Sequence, residues 1–363
     1  MTDDRIQTSD DRTPTGSDRT PTGGARTAPS APADDARVRA WVREDFGIAL
    51  DRLDRVADGA DEAATLWRGT AADGRRYAVK LSGGGSPAGL VVTARLADHG
   101  LPGIAAPVRT RRGGLWSEHA GARLTLVPWV SDARALDDGA MDAELWVAYG
   151  ELLGRVHATP VTDELARALP KEEYRHEGLT AFVRDVDQRL RAAPPPAADA
   201  HHRAVAAEWG AAADRVARLL ERADALGVEL RARPAAPLVV CHGDPHLGNV
   251  LCGGPGRVWL IDWDDAVLAP RERDLMFVLG GVLYFAPVGP REQRWFFEGY
   301  GAVADPDPDR LAYYRTVRAL EDLAHPAVQA ADPDRWPEAE RVAALEIVRG
   351  VLSPAGLVEQ ALA

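Results

Sequence analysis

The chain has 363 residues, 46% of them hydrophobic, and a net charge of −12 from 55 acidic and 43 basic side chains. Its length is enough for two lobes, each with its own core. The acidic balance argues against nucleic acid as a partner, because a phosphate-binding surface is basic. It suits a small cationic ligand, although an acidic surface also serves solubility. There is no run of about eighteen apolar residues to span a membrane, and the N-terminus lacks the apolar core of a secretory signal. With two cysteines and no such signal, a reducing, cytoplasmic setting is expected.

Residues 1–34 are dominated by Thr, Pro, Gly, Ser, Asp and Arg, and DRTPTGS at Asp11–Ser17 returns as DRTPTGG at Asp18–Gly24. That composition predicts a disordered tail. Val38, Trp41, Val42 and Phe46 then recur at helical spacing. Ala64–Thr70 and Arg75–Leu81, joined by a turn at Ala71–Gly74, read as a hairpin whose second strand ends in Tyr77-Ala78-Val79-Lys80. A lysine ending an apolar strand, followed by a Gly-Ser segment and a helix, is where kinases grip the α- and β-phosphates. Taken alone, such a lysine is a solvated charge.

Leu124–Val130 reads as a buried strand that runs through Pro128 into the polar segment Ser131–Arg134. It makes a natural hinge at about 127–131, where backbone groups of Val127, Trp129 and Val130 would meet the adenine edge. Helices are expected at 141–159, 181–192, 202–231, 272–285, 308–324 and 337–350, with Pro194–Pro196 separating the second from the third. The chain thus passes from sheet to helix. We expect an N-lobe over 35–130, a C-lobe over 131–363, and a ligand in the cleft between them.

The chemistry concentrates in Cys241–Asp265, CHGDPHLGNVLCGGPGRVWLIDWDD. His242 precedes Asp244 by two residues and Asn249 follows it by five, the offsets of a kinase catalytic loop, in which the Asp accepts a hydroxyl proton and the Asn holds a metal ion. Val250–Cys252 and Val258–Ile261 flank a Gly-Pro-Gly turn and form a hairpin with arms of nearly equal length. Asn249 and Asp262 would therefore lie side by side, roughly 5–8 Å apart by cross-strand spacing, a pair of oxygens suited to Mg²⁺ that phosphates also hold. Cys241, His242, His246 and Cys252 offer a zinc set by type, but no Cys-x2-Cys pair exists and both cysteines occupy strand positions where a small thiol packs well. His242 is read as an orienting hydrogen-bonding group and not as a proton carrier.

These residues resemble the aminoglycoside phosphotransferases, two-lobed small-molecule kinases with a protein-kinase-like α+β fold. The resemblance covers roughly 36–350. Ala269–Phe277, Phe297–Gly301 and Tyr313–Arg315 are similar to the spectinomycin phosphotransferase branch, and Leu153–His157 looks like the family's interlobe helix. It implies Asp244 as catalytic base, Asn249 and Asp262 as Mg²⁺ ligands, Lys80 on the phosphates of ATP or GTP, and transfer to a hydroxyl of a cationic antibiotic by a monomeric enzyme. For the acceptor, Trp263, Asp264, Asp265, Glu321 and Asp322 are candidates, since an aminocyclitol carries amines that carboxylates and an aromatic face recognise. Two features depart from the pattern. Leu81–Gly100 holds one acid, Asp98, where a glutamate partner for Lys80 is expected, so Glu62 or no partner is left; and no GxGxxG precedes Lys80. A metabolic kinase acting on a sugar, choline or homoserine hydroxyl, and a pseudokinase that binds nucleotide without transfer, remain open readings.

Overall fold

The computed structural model describes residues 34–56, 64–137, 139–192, 199–301 and 305–363. The expected tail lies outside them apart from Asp34, whose carboxylate accepts from the Ala36 N–H and caps α1 (Asp35–Trp41). A π-helical turn, Val42–Phe46, continues α1 until Gly47, and Val38, Val42 and Phe46 are buried, as their spacing predicts.

Five antiparallel strands follow: β1 (Leu50–Arg55), β2 (Ala64–Ala71), β3 (Arg76–Ser82), then after helix α2 (Ala88–Asp98) β4 (Ser117–His119) and β5 (Ala122–Pro128). Their order across the sheet is β1-β2-β3-β5-β4. In β3 the two-residue period puts Tyr77, Val79 and Leu81 into a core with Trp67, Leu124 and Leu126, and turns Lys80 to the other face. Lys80 stands opposite Leu66 on one side and Thr125 on the other, so its backbone is fixed by both neighbours. Helix α2 does not join that core. Ala88, Val92 and Leu96 pack instead with Trp146, Leu152, Leu260 and Trp263 of the larger lobe.

The larger lobe begins with β6 (Ala133–Arg134), α3 (Ala143–His157), α4 (Asp163–Ala168) and α5 (Glu177–Arg191). The single helix expected over 202–231 is two, α6 (Ala200–Ala211) and α7 (Ala213–Ala232). The chain changes direction at Ala212, which lets Val205 and Trp209 on one side and Val216 and Leu219 on the other enter the same core. Next come β7 (Val239–Cys241), β8 (Val250–Cys252), β9 (Val258–Leu260) and β10 (Val267–Ala269). β7 pairs with β10, and β6, β8 and β9 form a second small sheet, so the interlobe linker is stitched to the hairpin. The Ser131 hydroxyl adds a 2.5 Å bond to the Cys252 carbonyl.

The helix expected over 272–285 is a single turn, α8 (Glu272–Leu275), followed by tight turns through Leu279, and Gly280 and Gly281, with φ of 107° and 75°, keep it from resuming. α9 (Pro290–Tyr300), α10 (Pro308–Ala331), α11 (Glu338–Leu352) and α12 (Leu357–Leu362) complete the lobe. α10 runs through Pro326 beyond its expected end, carried by Leu320, Leu323, Ala327 and Ala330 in the core. Among the described residues no helix is long and apolar enough to cross a membrane.

Candidate active site

The loop between β7 and β8 carries Asp244, and buried groups fix its backbone. Asp274, on α8 and fully enclosed, accepts the N–H groups of His242 and Gly243, each at 2.8 Å. Its other partner is His157 of α3 at 3.0 Å, which bonds in turn to the Tyr300 hydroxyl at 2.6 Å. Burial would push the Asp274 carboxyl up, but the hydrogen bond and charge of His157, with His242 and the Gly243 N–H, hold it below the usual carboxylate range. The Tyr149 hydroxyl donates to the Pro245 carbonyl at 2.5 Å from the opposite side. Gly243 is required here: its φ is 90°, and a methyl on it would sit 2.1 Å from the Asp265 carbonyl oxygen.

His242 has the orienting geometry expected of it. The Asp244 N–H donates to Nδ1 at 3.2 Å, so the ring proton sits on Nε2 and is donated to the Ile261 carbonyl at 2.8 Å. One ring thus ties the Asp244 loop to the segment that leads into Asp262. Cys241 and Cys252 are buried free thiols directed at backbone carbonyls of Ala269 and Ala140. Burial holds the Cys241 thiol well above its ordinary range, so it is no thiolate for the neighbouring His157 and Asp274, with which it clusters.

Asn249 and Asp262 are neighbours across the hairpin: Val250 pairs with Leu260, and the Ile261 N–H donates to the Asn249 carbonyl at 3.0 Å. The Asn249 amide nitrogen donates to the Asp244 carbonyl at 2.8 Å, so its amide oxygen would be the atom offered to a cation. Asp262 adopts φ of 62°, the left-handed region that a non-glycine residue enters at a cost. Burial pushes its carboxyl up, against the pull of the Lys80 ammonium. A desolvated carboxylate next to an amide side chain across the hairpin fits a divalent cation, which would add to the charge compensation that Lys80 provides.

Lys80 reaches the same loop from β3, and its ammonium meets the Asp264 carboxylate at 2.7 Å. Glu62, the other partner considered, lies outside the described residues. Asp244 is engaged by a residue the sequence reading did not single out. Arg318 on α10 donates to Asp244 Oδ1 at 2.7 Å, contacts Asp322 at 2.7 Å one turn further on, and lies over the Phe277 ring. Burial alone would push this guanidinium down, but Asp322 and Asp244 more than offset it. The second oxygen of Asp244 faces His246 Nε2 at 3.5 Å.

A family model for the phosphotransferase enzyme family (APH) matches residues 52–314. The chain belongs to this family. Its fold is similar to that of spectinomycin phosphotransferase, APH(9)-Ia, solved in complex with ADP and spectinomycin: 26% identity, TM-score 0.81, covering 92% of this chain and 99% of that one. The AMP-bound complex of APH(9)-Ia gives 25% identity and a TM-score of 0.78 over 92% and 99% of the two chains. Amicoumacin kinase hAmiN, in complex with AMP-PNP, Ca²⁺ and Ami, shares the fold at 18% identity and a TM-score of 0.58, over 90% and 97%. No curated protein matches the sequence.

Among the candidate acceptor contacts, Asp264, Asp265 and Glu321 line one cleft of about 280 Å³ in this phosphotransferase, together with Glu172, Arg175, Arg273 and Tyr313. Burial pushes the Glu321 carboxyl up, with Arg273 and Arg318 pulling against it. Asp322 does not reach the cleft, because it is turned to Arg318. Nor does Trp263: its indole is 5% exposed, rests beside His242 and donates to the Leu260 carbonyl at 2.9 Å. At the hinge, the Trp129 N–H is spent on the Arg76 carbonyl and its indole on Asp132, so that N–H is not available to a nucleotide base. Val127 is paired with Ala78 inside the sheet, and Val130 follows it in the linker.

Proposed function

We propose that this phosphotransferase transfers the terminal phosphoryl group of ATP or GTP to a hydroxyl of a cationic aminocyclitol such as spectinomycin, and so confers resistance. The observation that carries the reading is the linkage of Lys80, Asn249, Asp262 and Asp244, with Asn249 bonded to the Asp244 carbonyl and the Lys80 ammonium acting on Asp262 and meeting Asp264, in a chain whose fold is similar to that of APH(9)-Ia over 92% of its length. The nucleotide would lie between the sheet-rich lobe, 35–130, and the helical lobe, 131–363, with its base near Val127–Val130. Asn249 and Asp262 would hold Mg²⁺, which when bound neutralises charge on the phosphates. Lys80 would contact those phosphates from above.

Asp244 would orient the acceptor hydroxyl and take its proton late, as charge develops on a loose transition state. Arg318 fixes Oδ1, and Oδ2, which His246 Nε2 faces at 3.5 Å, would receive the incoming hydroxyl. Positioning supplies most of the rate in such a reaction, which explains why so many buried bonds are spent on one loop. Asp265, Glu172 and Glu321 offer carboxylates to the acceptor's amines, with Arg273 beside them for its oxygens. Two free cysteines suit a reducing compartment, the cytoplasm.

The test is nucleotide-dependent ADP release by purified protein across aminocyclitols, aminoglycosides and hydroxyl metabolites. Release with spectinomycin, and loss of MgADP binding in Asp262→Ala, are expected. Release with a sugar, choline or homoserine alone would replace the antibiotic by a metabolite, and binding without release on any hydroxyl would make the chain a pseudokinase.

A further inference from the structure

We infer that Asp264 is a positioning residue for the nucleotide half of the site, holding Lys80 toward Asp262 in the role for which helix α2 carries no acid. This rests on reading the chain as a nucleotide-dependent phosphotransferase. A lysine ammonium is a compact charge on a flexible stem, and it grips phosphates well only when a fixed anion limits its rotamers. The helix that follows Lys80 cannot provide that anion. Its one acid, Asp98, lies at the far end, where it bonds to Arg109 at 3.3 Å.

The packing of α2 shows why. The face it turns to the larger lobe is Ala88, Val92 and Leu96, set in the same core as Trp263. At Gly89 the helix touches the metal loop itself, for a methyl there would sit 2.4 Å from the Trp263 carbonyl oxygen. A glutamate on that face would displace apolar contacts and bury a charge.

The loop that α2 rests on supplies the carboxylate instead. From the left-handed turn at Asp262, successive side chains part. Trp263 enters the core beside His242, and Asp264 points out to meet Lys80 at 2.7 Å, a contact spanning 184 positions of sequence and both lobes. Metal ligand, core anchor and lysine partner are thus consecutive residues, so the turn that places the cation also places the ammonium. The two side chains are 29% and 60% exposed, which makes the pair a weak contributor to stability and assigns its value to orientation.

The experiment compares Asp264→Asn, Asp264→Glu, Lys80→Met and the Lys80→Met/Asp264→Asn double variant of the full chain, measuring MgADP affinity by calorimetry and KM for nucleotide and for acceptor separately. Asp264→Asn should weaken MgADP binding and raise the nucleotide KM by about tenfold, the size of a coupling between neighbouring charges, and by more than it raises the acceptor KM. Asp264→Glu should restore most of that loss. In the Lys80→Met background, Asp264→Asn should change MgADP affinity by less than about twofold, because the two residues act as one unit. Unchanged or tighter MgADP binding in Asp264→Asn would overturn the inference, leaving a contact that nucleotide merely displaces. A rise in the acceptor KM alone would overturn it in favour of acceptor recognition, and an undiminished effect in the Lys80→Met background would remove the coupling. Wild-type protein that does not bind MgADP would sink the phosphotransferase chemistry itself, a separate outcome from any of these.

Discussion

Around Asp244 the N–H groups of His242 and Gly243 end on a carboxylate that solvent does not reach, whereas across the cleft the Lys80 ammonium meets Asp264 through a pair whose side chains are 29% and 60% exposed. The contrast is one of energy as well as place. Breaking a buried, hydrogen-bonded charge pair costs about 3–5 kcal/mol, while an exposed pair contributes about 0–1 kcal/mol. The Asp244 half of the site is therefore set by folding, before any ligand arrives. The Lys80 half rests on an exposed pair that adds little to folding, so its value lies in orienting the ammonium. If this division holds, changes on the Asp244 side should act on kcat or on stability, and changes on the Lys80 side on nucleotide affinity.

The largest effect is expected at Asp244 itself. Asp244→Asn keeps an acceptor for Arg318 but removes the base, and kcat should fall by about 10²–10⁴-fold, the usual worth of a positioned general base. MgADP affinity and thermal midpoint should stay near wild type. Near-normal turnover would take Asp244 out of the chemistry. Asp274→Ala comes next and should act through the fold. It strips partners from two buried N–H groups and from His157, and each buried group left unsatisfied costs about 1–3 kcal/mol. A loss of several kcal/mol in urea unfolding is expected, with kcat falling as the loop relaxes. Wild-type stability would show that Tyr149 and His242 suffice to hold the loop.

Arg318→Met sharpens the comparison further, because it disturbs Asp244 from the acceptor side without touching nucleotide. With Oδ1 no longer fixed, kcat should drop by up to about 10²-fold, the cost of a misplaced reacting group. The nucleotide KM should be unmoved, and steady-state kinetics with both substrates varied separates the two. A raised nucleotide KM with unchanged kcat would erase the boundary drawn between the halves.

What could be read from the sequence follows the same line. The hairpin and its oxygens were legible because phosphoryl transfer demands those residue types at those offsets, and β3 because a period of two sorts Tyr77, Val79 and Leu81 from Lys80. Asp274 and Arg318 were not. A lone Asp at a helix start reads as a cap, and Arg318 with Asp322 four residues on reads as a surface pair; only the fold reveals that the first closes on a loop 31 residues back and the second on one 74 residues back. The Gly280-Gly281 break was visible as a dipeptide, but the apolar run on either side of it suggests a helix. Trp263 looked like an aromatic face for a ligand because it stands between expected site residues; its indole is buried and anchors the loop.

The smallest effect lies away from both halves and serves as their control. Asp199 caps α6 by accepting the His202 N–H at 2.9 Å, and binds both Arg341 nitrogens on α11 at 2.6 and 2.8 Å. The Arg341 hydrogen bond, then the His202 N–H, hold its carboxyl well below the usual range, against a weaker effect of burial. A carboxyl whose folded value lies below its unfolded value, about 3.9, contributes stability that is complete above the unfolded value and is lost as pH falls through the folded one. Asp199→Asn keeps a capping oxygen but no charge. The stability gap between it and wild type should therefore be constant from neutral pH down to about pH 4 and shrink below that. Because the carboxylate is partly exposed, the gap at neutral pH should be modest. Turnover at neutral pH should match wild type, since nothing in this clamp touches the cleft. Chemical denaturation at several pH values reads the first expectation. A gap that persists undiminished at the acid end would mean that the helices are joined there by packing and not by the ion pair, and a fall in kcat at neutral pH would show that the cleft senses helices well outside it.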